Sequence, residues 1–121
     1  MNQTVVKKIT PYPIQSILIK NSDPTPRNVA IVKLVEHGFL IQADIHYLFQ
    51  VGDLYEVQFE IPVIHIKVQN SCKVIKTYDA IESVVKGQKN KLHTAELHFI
   101  NLPSDLKIRI NEFLSKIGQK G

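Results

Sequence analysis

Hydrophobic and polar residues alternate with a period of two along most of the chain, the spacing at which successive side chains fall on opposite faces of a β-strand. The clearest case is Leu54 to Ile61, where Tyr55, Val57, Phe59 and Ile61 share one face while Glu56, Gln58 and Glu60 share the other. That pattern describes a half-buried strand. Ile14 to Lys20 reads as a short β-rich run, ended by Asn21-Ser22-Asp23-Pro24-Thr25-Pro26, whose prolines and turn formers are expected to interrupt a ladder. A second run follows from Arg27 to Val35. Glu36-His37-Gly38 then reads as a tight turn, with glycine where positive φ or close backbone approach is expected, and Phe39 to Ala43 returns as the partner of a hairpin.

After Pro62, the residues Ile64, Ile66 and Val68 alternate with His65, Lys67 and Gln69, so a further strand is expected to begin at once, at a corner or edge. Cys72 to Thr77 extends it or pairs after a bend near Asn70. Asp79 to Lys91 reads as a hairpin excursion, with Ala80 to Val85 as strand or turn and Lys86 to Lys91 as a basic polar loop. The last strand runs from Leu92 to Ile100. Then the period changes: Leu106, Ile110, Phe113, Leu114 and Ile117 fall at helical spacing. An amphipathic helix is predicted over 104–117, with Ser104 as N-cap, Asp105 and Lys116 suited to the two ends of the helix dipole, and Gly118 as the stop. Ile108 lies off the apolar stripe, on the outer side of that helix. Six or seven short antiparallel strands followed by one helix predict a mainly β protein, a small barrel with a C-terminal amphipathic helix across an opening; an open sandwich is the alternative.

A chain of 121 residues, 44% hydrophobic and 21% charged, suits one folded domain over 1–121, with 1–12 as an N-terminal arm. No apolar run approaches the about 20 residues that span a bilayer, and Met1 to Lys8 lacks an apolar signal core. A cytoplasmic protein without membrane insertion is therefore expected. The one cysteine, Cys72, cannot form an internal disulfide, and its place in a strand-like run suits a small buried residue better than a nucleophile. A net charge of +4 permits an anionic partner without requiring one. Only Arg27 and Arg109 among the 15 basic residues carry the planar fork that favours phosphate and guanine recognition.

Catalytic and metal chemistry find little support. His37, His46, His65, His93 and His98 lack metal-site spacing, and no cysteine pair or helical histidine pair accompanies them. Neither a nucleophile elbow nor a phosphate-binding glycine loop is present, and Glu56 and Glu60 share a polar strand face instead of a pocket. A non-enzymatic protein with no cofactor is expected. Single-stranded nucleic acid would need exposed aromatic platforms, whereas tryptophan is absent and Tyr55, Phe59, Phe99 and Phe113 are assigned to the core. No nucleic-acid partner is expected either.

Several landmarks taken together resemble a PilZ domain, the bacterial receptor module for cyclic di-GMP. They are the run Ile31 to Gln42 broken by Gly38, the entry Val51-Gly52-Asp53 to the strand ending Phe59-Glu60-Ile61-Pro62, the strand ending Leu97-His98-Phe99, and the terminal helix. The resemblance implies a six-stranded antiparallel barrel followed by a helix. It also implies two ligand motifs, an Arg-x-x-x-Arg near the N-terminus and an Asp/Asn-x-Ser-x-x-Gly further along. Here the second falls on Lys33-Leu34-Val35-Glu36-His37-Gly38 and keeps only the glycine; the first falls near Lys8-Ile9-Thr10-Pro11-Tyr12 and has no arginine. Lys7, Lys8 and Lys33 can still offer charge to a phosphate and Tyr12 can stack on a base, so a variant, degenerate nucleotide site comprises Lys7, Lys8, Tyr12, Lys33 and Gly38. The plainer reading makes Lys7 and Lys8 part of a solvated arm and Gly38 a structural glycine.

PilZ domains without the ligand motifs include the type IV pilus class, which works by contacting other proteins. The resemblance thus implies an adaptor in cyclic di-GMP-related signalling with a protein partner, and cyclic di-GMP as a weak or absent ligand. The candidate contact surfaces are the strand face of Lys33 and Val35 and the outer side of the helix at Ile108. Simple burial is the competing role for Val35.

Overall fold

The computed structural model describes residues 11–44, 49–85 and 88–118, and only the backbone over 79–85 and 88–91. Six strands and one helix follow one another in the order β1 (Ile14–Lys20), β2 (Asp23–Val35), β3 (Gly38–Asp44), β4 (Leu54–Ile61), β5 (Ile66–Val85), β6 (Gln88–Phe99) and α1 (Ser104–Lys116). The strands close into an antiparallel barrel with the spatial order β1-β2-β3-β6-β5-β4. Closure comes from β1 pairing with β4, Ser16 opposite Phe59 and Lys20 opposite Tyr55. A closed barrel leaves no free sheet edge around its girth.

The period-two pattern becomes the inside and outside of this barrel. Tyr55, Val57, Phe59 and Ile61 are buried in β4, and Leu18, Ile31, Leu34, Ile41, Val74 and Leu97 join them from the other strands. Full burial of one such side chain contributes about 1.5–3 kcal/mol. Ile110, Phe113 and Leu114 of α1 enter the same core, so the helix covers one end of the barrel with its apolar stripe. Cys72 is fully buried, and that burial pushes its thiol up to about 12, as suits a small core residue. No described helix is long and apolar enough to cross a membrane.

Several boundaries differ from the sequence reading. Pro24 and Pro26 do not end a ladder, because β2 already begins at Asp23; the pairs Leu18–Arg27 and Lys20–Asp23 leave an irregularity between them, and β2 meets β3 only from Ala30 onward. A proline there gives up no ladder hydrogen bond. Pro62 to His65 forms a turn, with Val63 and His65 at φ of 74° and 55°, so β5 starts at Ile66 and not directly after Pro62. The residues 88–91, expected in a loop, pair with β5 instead: Ser83 lies opposite Asn90 and Val85 opposite Gln88. Asp79 to Lys91 is a hairpin excursion as expected, carried by an extension of β5 after a register irregularity between Tyr78 and Ile81. The helix N-cap is Pro103 and not Ser104, with no side-chain cap bond, and α1 ends at Lys116 before Gly118 turns at φ 75°.

Candidate functional site

Two β-bulges shape the outer face of β2, β3, β6 and β5. In β2 the pairs Ile31–Ile41 and Lys33–Leu40 leave Val32 as an extra residue. Without that insertion, alternation from buried Ile31 would turn Lys33 inward; with it, Leu34 is buried and Lys33 is exposed. In β5 the pairs Val74–Leu97 and Lys76–Glu96 likewise leave Ile75 extra, and Lys76 faces outward. The two bulges align Lys33, Leu40, Glu96 and Lys76 across four neighbouring strands. A second row beside it comprises Val35, Gly38, His98 and Lys73.

Over these rows opens a cleft of about 220 Å³. Lys33 and Val35 line it from β2, His37 from the turn, Gly38 and Leu40 from β3, Tyr78 from β5, and Glu96 and His98 from β6. Its depth depends on Gly38. This residue opens β3 and is not among the positive-φ positions; the sequence expectation of close approach is the one the structure bears out, since a Cβ at 38 would collide with the Leu97 carbonyl oxygen and come within 2.9 Å of the His98 ring. The His37 and His98 rings meet edge to face with centroids 4.9 Å apart. A His98 Nε2–H donates to the Glu96 carboxylate at 2.8 Å, which holds that ring against the cleft wall. The Lys76 ammonium stands 4.9 Å from the centre of the Tyr78 ring, within cation–π range.

The structure brings Lys33, Val35 and Gly38 together, on one side as alternation requires. Tyr12 lies elsewhere: its hydroxyl accepts from Leu34 N–H at 3.0 Å and its ring packs edge-on against Phe113, 6.3 Å between centroids. Ile108 is 64% exposed on the far side of α1, and no α1 residue lines the cleft. Lys7 and Lys8 lie outside the described residues. Both arginines are engaged away from the cleft, Arg27 with Asp23 at 3.3 Å and Arg109 with Glu112 at 3.0 Å. Sequence reading missed Tyr78, Glu96 and His98 as cleft residues. Alternation in the last strand set Glu96 and His98 on the polar face, but nothing local announced that β6 would sit beside β3 or that the bulge at Ile75 would turn Tyr78 outward.

Among the described residues no group of three histidine, cysteine or acidic side chains could hold a metal ion. Cys72 is too deeply buried to act as a nucleophile. What the arrangement offers is a partly apolar concavity, lined by one lysine, one carboxylate and two histidines and suited to binding.

No protein-family model and no curated protein matches the sequence. Solved structures do match the fold. The chain is similar to the PilZ domain with c-di-GMP of YcgR from Escherichia coli, with a TM-score of 0.71 and 10% identity over 88% of this chain and 82% of that one. It is similar to the Bacillus subtilis inhibitor of motility MotI/DgrA, with a TM-score of 0.67 and 7% identity over 87% of this chain and 49% of that one. It is similar also to MrkH, described as a c-di-GMP dependence transcription regulatory factor, with a TM-score of 0.70 and 9% identity over 88% of this chain and 46% of that one. The chain spans about half the length of the last two. Its closed six-stranded barrel with a C-terminal helix is the fold of a PilZ domain.

Proposed function

We propose that this chain is a non-enzymatic PilZ-like adaptor in cyclic di-GMP-related signalling, acting through protein contacts at the cleft face and not through the usual nucleotide site. The observation that carries the reading is the substitution of the cleft itself. Where the family's motif has a polar pair, Lys33 and Val35 stand on the cleft wall, and both arginines of the chain are committed to ion pairs elsewhere. A lysine is a strongly hydrated point charge; it does not reproduce the forked donors that grip phosphate and guanine together. An apolar Val35 beside it favours desolvated contact with another protein.

A second reading has one observation in its favour. The cleft persists over the positions of the degenerate motif and carries Lys33, two histidines and the Tyr78 ring, so an anionic ligand with a flat base finds both charge and a stacking surface. On that reading the protein is a cyclic di-GMP receptor with a variant, lysine-based site.

One titration decides between them. Isothermal titration of the folded protein with cyclic di-GMP, at low and at physiological salt, is expected to give no heat at either. Micromolar or tighter binding at physiological salt overturns the adaptor reading and establishes the variant receptor.

A further inference from the structure

The apolar surface of the molecule is not spread evenly. Six large hydrophobic residues are exposed among the described ones, and four of them, Val51, Leu54, Ile75 and Tyr78, belong to β5, the start of β4 and the turn before it. Backbone bonds fix their proximity: Gly52 N–H donates to the Val74 carbonyl at 2.8 Å and Val74 N–H to the Asp53 carbonyl at 2.9 Å, which seats Val51 and Leu54 against the bulge at Ile75. Leu54, 50% exposed, stands opposite Lys73. The row continues through His98 to Gly38 and the cleft.

Two apolar positions therefore flank a basic ridge. One is the cleft around Val35 and Leu40, the other the patch at Leu54. Between them stand Lys73, Lys76 and His98, with Glu96 as the one carboxylate on these rows. Three strand spacings separate Gly38 from Leu54, a distance of about 14 Å. A segment in extended conformation covers that span in about four residues, with positions i, i+2 and i+4 on one face.

We infer that this face binds an extended acidic segment of a partner protein, crossing β4, β5, β6 and β3 with apolar side chains four positions apart and a carboxylate between them. One apolar side chain enters the cleft, the other covers Leu54 and Val51, and the carboxylate meets Lys73 and Lys76. Charge complementarity selects this occupant: an apolar segment without acid would leave the ridge lysines facing a desolvated contact, and a basic one would be repelled. The opposite outer face, across β2, β1, β4 and β5, differs in kind. It is lined by the amides of Gln15, Asn28, Gln58 and Gln69, with Glu60 opposing Lys67, and offers neither a net charge nor exposed large apolar side chains.

The inference rests on the adaptor reading and deepens it by giving the partner's chemistry. The probe is a capped synthetic peptide with two leucines four positions apart and glutamates at the positions between; its control carries lysines in place of the glutamates. Titration into the intact protein at low salt is expected to show binding of the acidic peptide alone, weakening as salt rises. Exchanging Lys73 and Lys76 together for glutamate should reduce that affinity by about tenfold or more, since two favourable pairs become unfavourable. Lys67→Glu on the opposite face should leave it unchanged. No binding of the acidic peptide at low salt, equal binding of the basic control, or equal losses from both lysine sites would overturn the inference. So would self-association of the protein through Lys73 and Lys76, because a second copy would then be the occupant. Heat from cyclic di-GMP alongside acidic-peptide binding would instead sink the adaptor reading and leave the peptide surface standing.

Discussion

A methyl group at position 38 would run into the carbonyl oxygen of Leu97 and crowd the edge of the His98 ring. Backbone has little room to yield there, because Gly38 and His98 are paired residues of β3 and β6 and each pairs with a further strand on its other side, at Val35 of β2 and Lys73 of β5. Gly38→Ala should therefore cost about 1–3 kcal/mol, the range for forcing an extra carbon into a packed site. Urea denaturation of the purified variant measures it; an unchanged midpoint would mean that the strands separate freely at this pair. The glycine is a structural requirement whether or not a ligand ever occupies the cleft. Its one visible signal in the sequence was the break in an apolar run, which reveals that a side chain is forbidden without revealing what forbids it. Tyr55 presents a different case. Burial raises its hydroxyl above the usual tyrosine range, and that hydroxyl has no hydrogen-bond partner among the described residues. The Arg27 guanidinium, 5.6 Å from the ring centre, partly offsets the rise.

At the scale of elements, strands with clean alternation were legible and their junctions were not. β4 occupies Leu54–Ile61 as its pattern requires, because each of its inward residues is apolar and, after Leu54 at its start, each outward one is polar. Pro24 and Pro26 misled, since a proline forbids only a hydrogen bond that a neighbour would otherwise accept, and neither is among the described ladder pairs. Ser104 misled for a related reason: a side chain able to cap a helix is no guarantee that it does, and Pro103 holds the N-cap position with its φ of −58°. Beyond its apolar stripe, the helix is fixed by contacts no local pattern announces. Tyr12 clasps β2 by accepting from Leu34 N–H at 3.0 Å and donating to the Leu34 carbonyl at 3.5 Å, while its ring braces Phe113 of α1. Asn111 reaches Glu36 in the β2–β3 turn at 3.3 Å. Tyr12→Phe retains the ring and removes the hydroxyl, so the Leu34 bonds are lost with the packing kept. A loss of about 1–3 kcal/mol is expected in chemical denaturation, the cost of leaving a buried polar group unpaired. Stability equal to the parent would assign the clasp to ring packing alone.

At the scale of the molecule, barrel closure decides which rungs are shared by the whole fold. The β1–β4 seam lets every strand of the girth lean on two neighbours, and the cleft rows cross four of them. The site was accordingly legible only in part: Lys33, Val35 and Gly38 came from one hairpin, while Glu96, His98 and Tyr78 arrive through pairings between segments far apart in the sequence. β5 tests the same principle at its other end. From Cys72 to Val74 it is bonded on both sides, by β4 with the Gly52 and Asp53 backbone and by β6; from Glu82 to Val85 the described pairings are with β6 alone. A two-stranded ribbon is marginal without a third strand or a covering surface. Native-state hydrogen exchange should therefore show the amides of Glu82 to Val85 opening at a free energy well below that of Val57 and Leu97, which exchange only when the barrel itself unfolds. Equal protection along the whole of β5 would require some further surface to cover the ribbon in the free protein, and would join it to the same cooperative unit as the cleft.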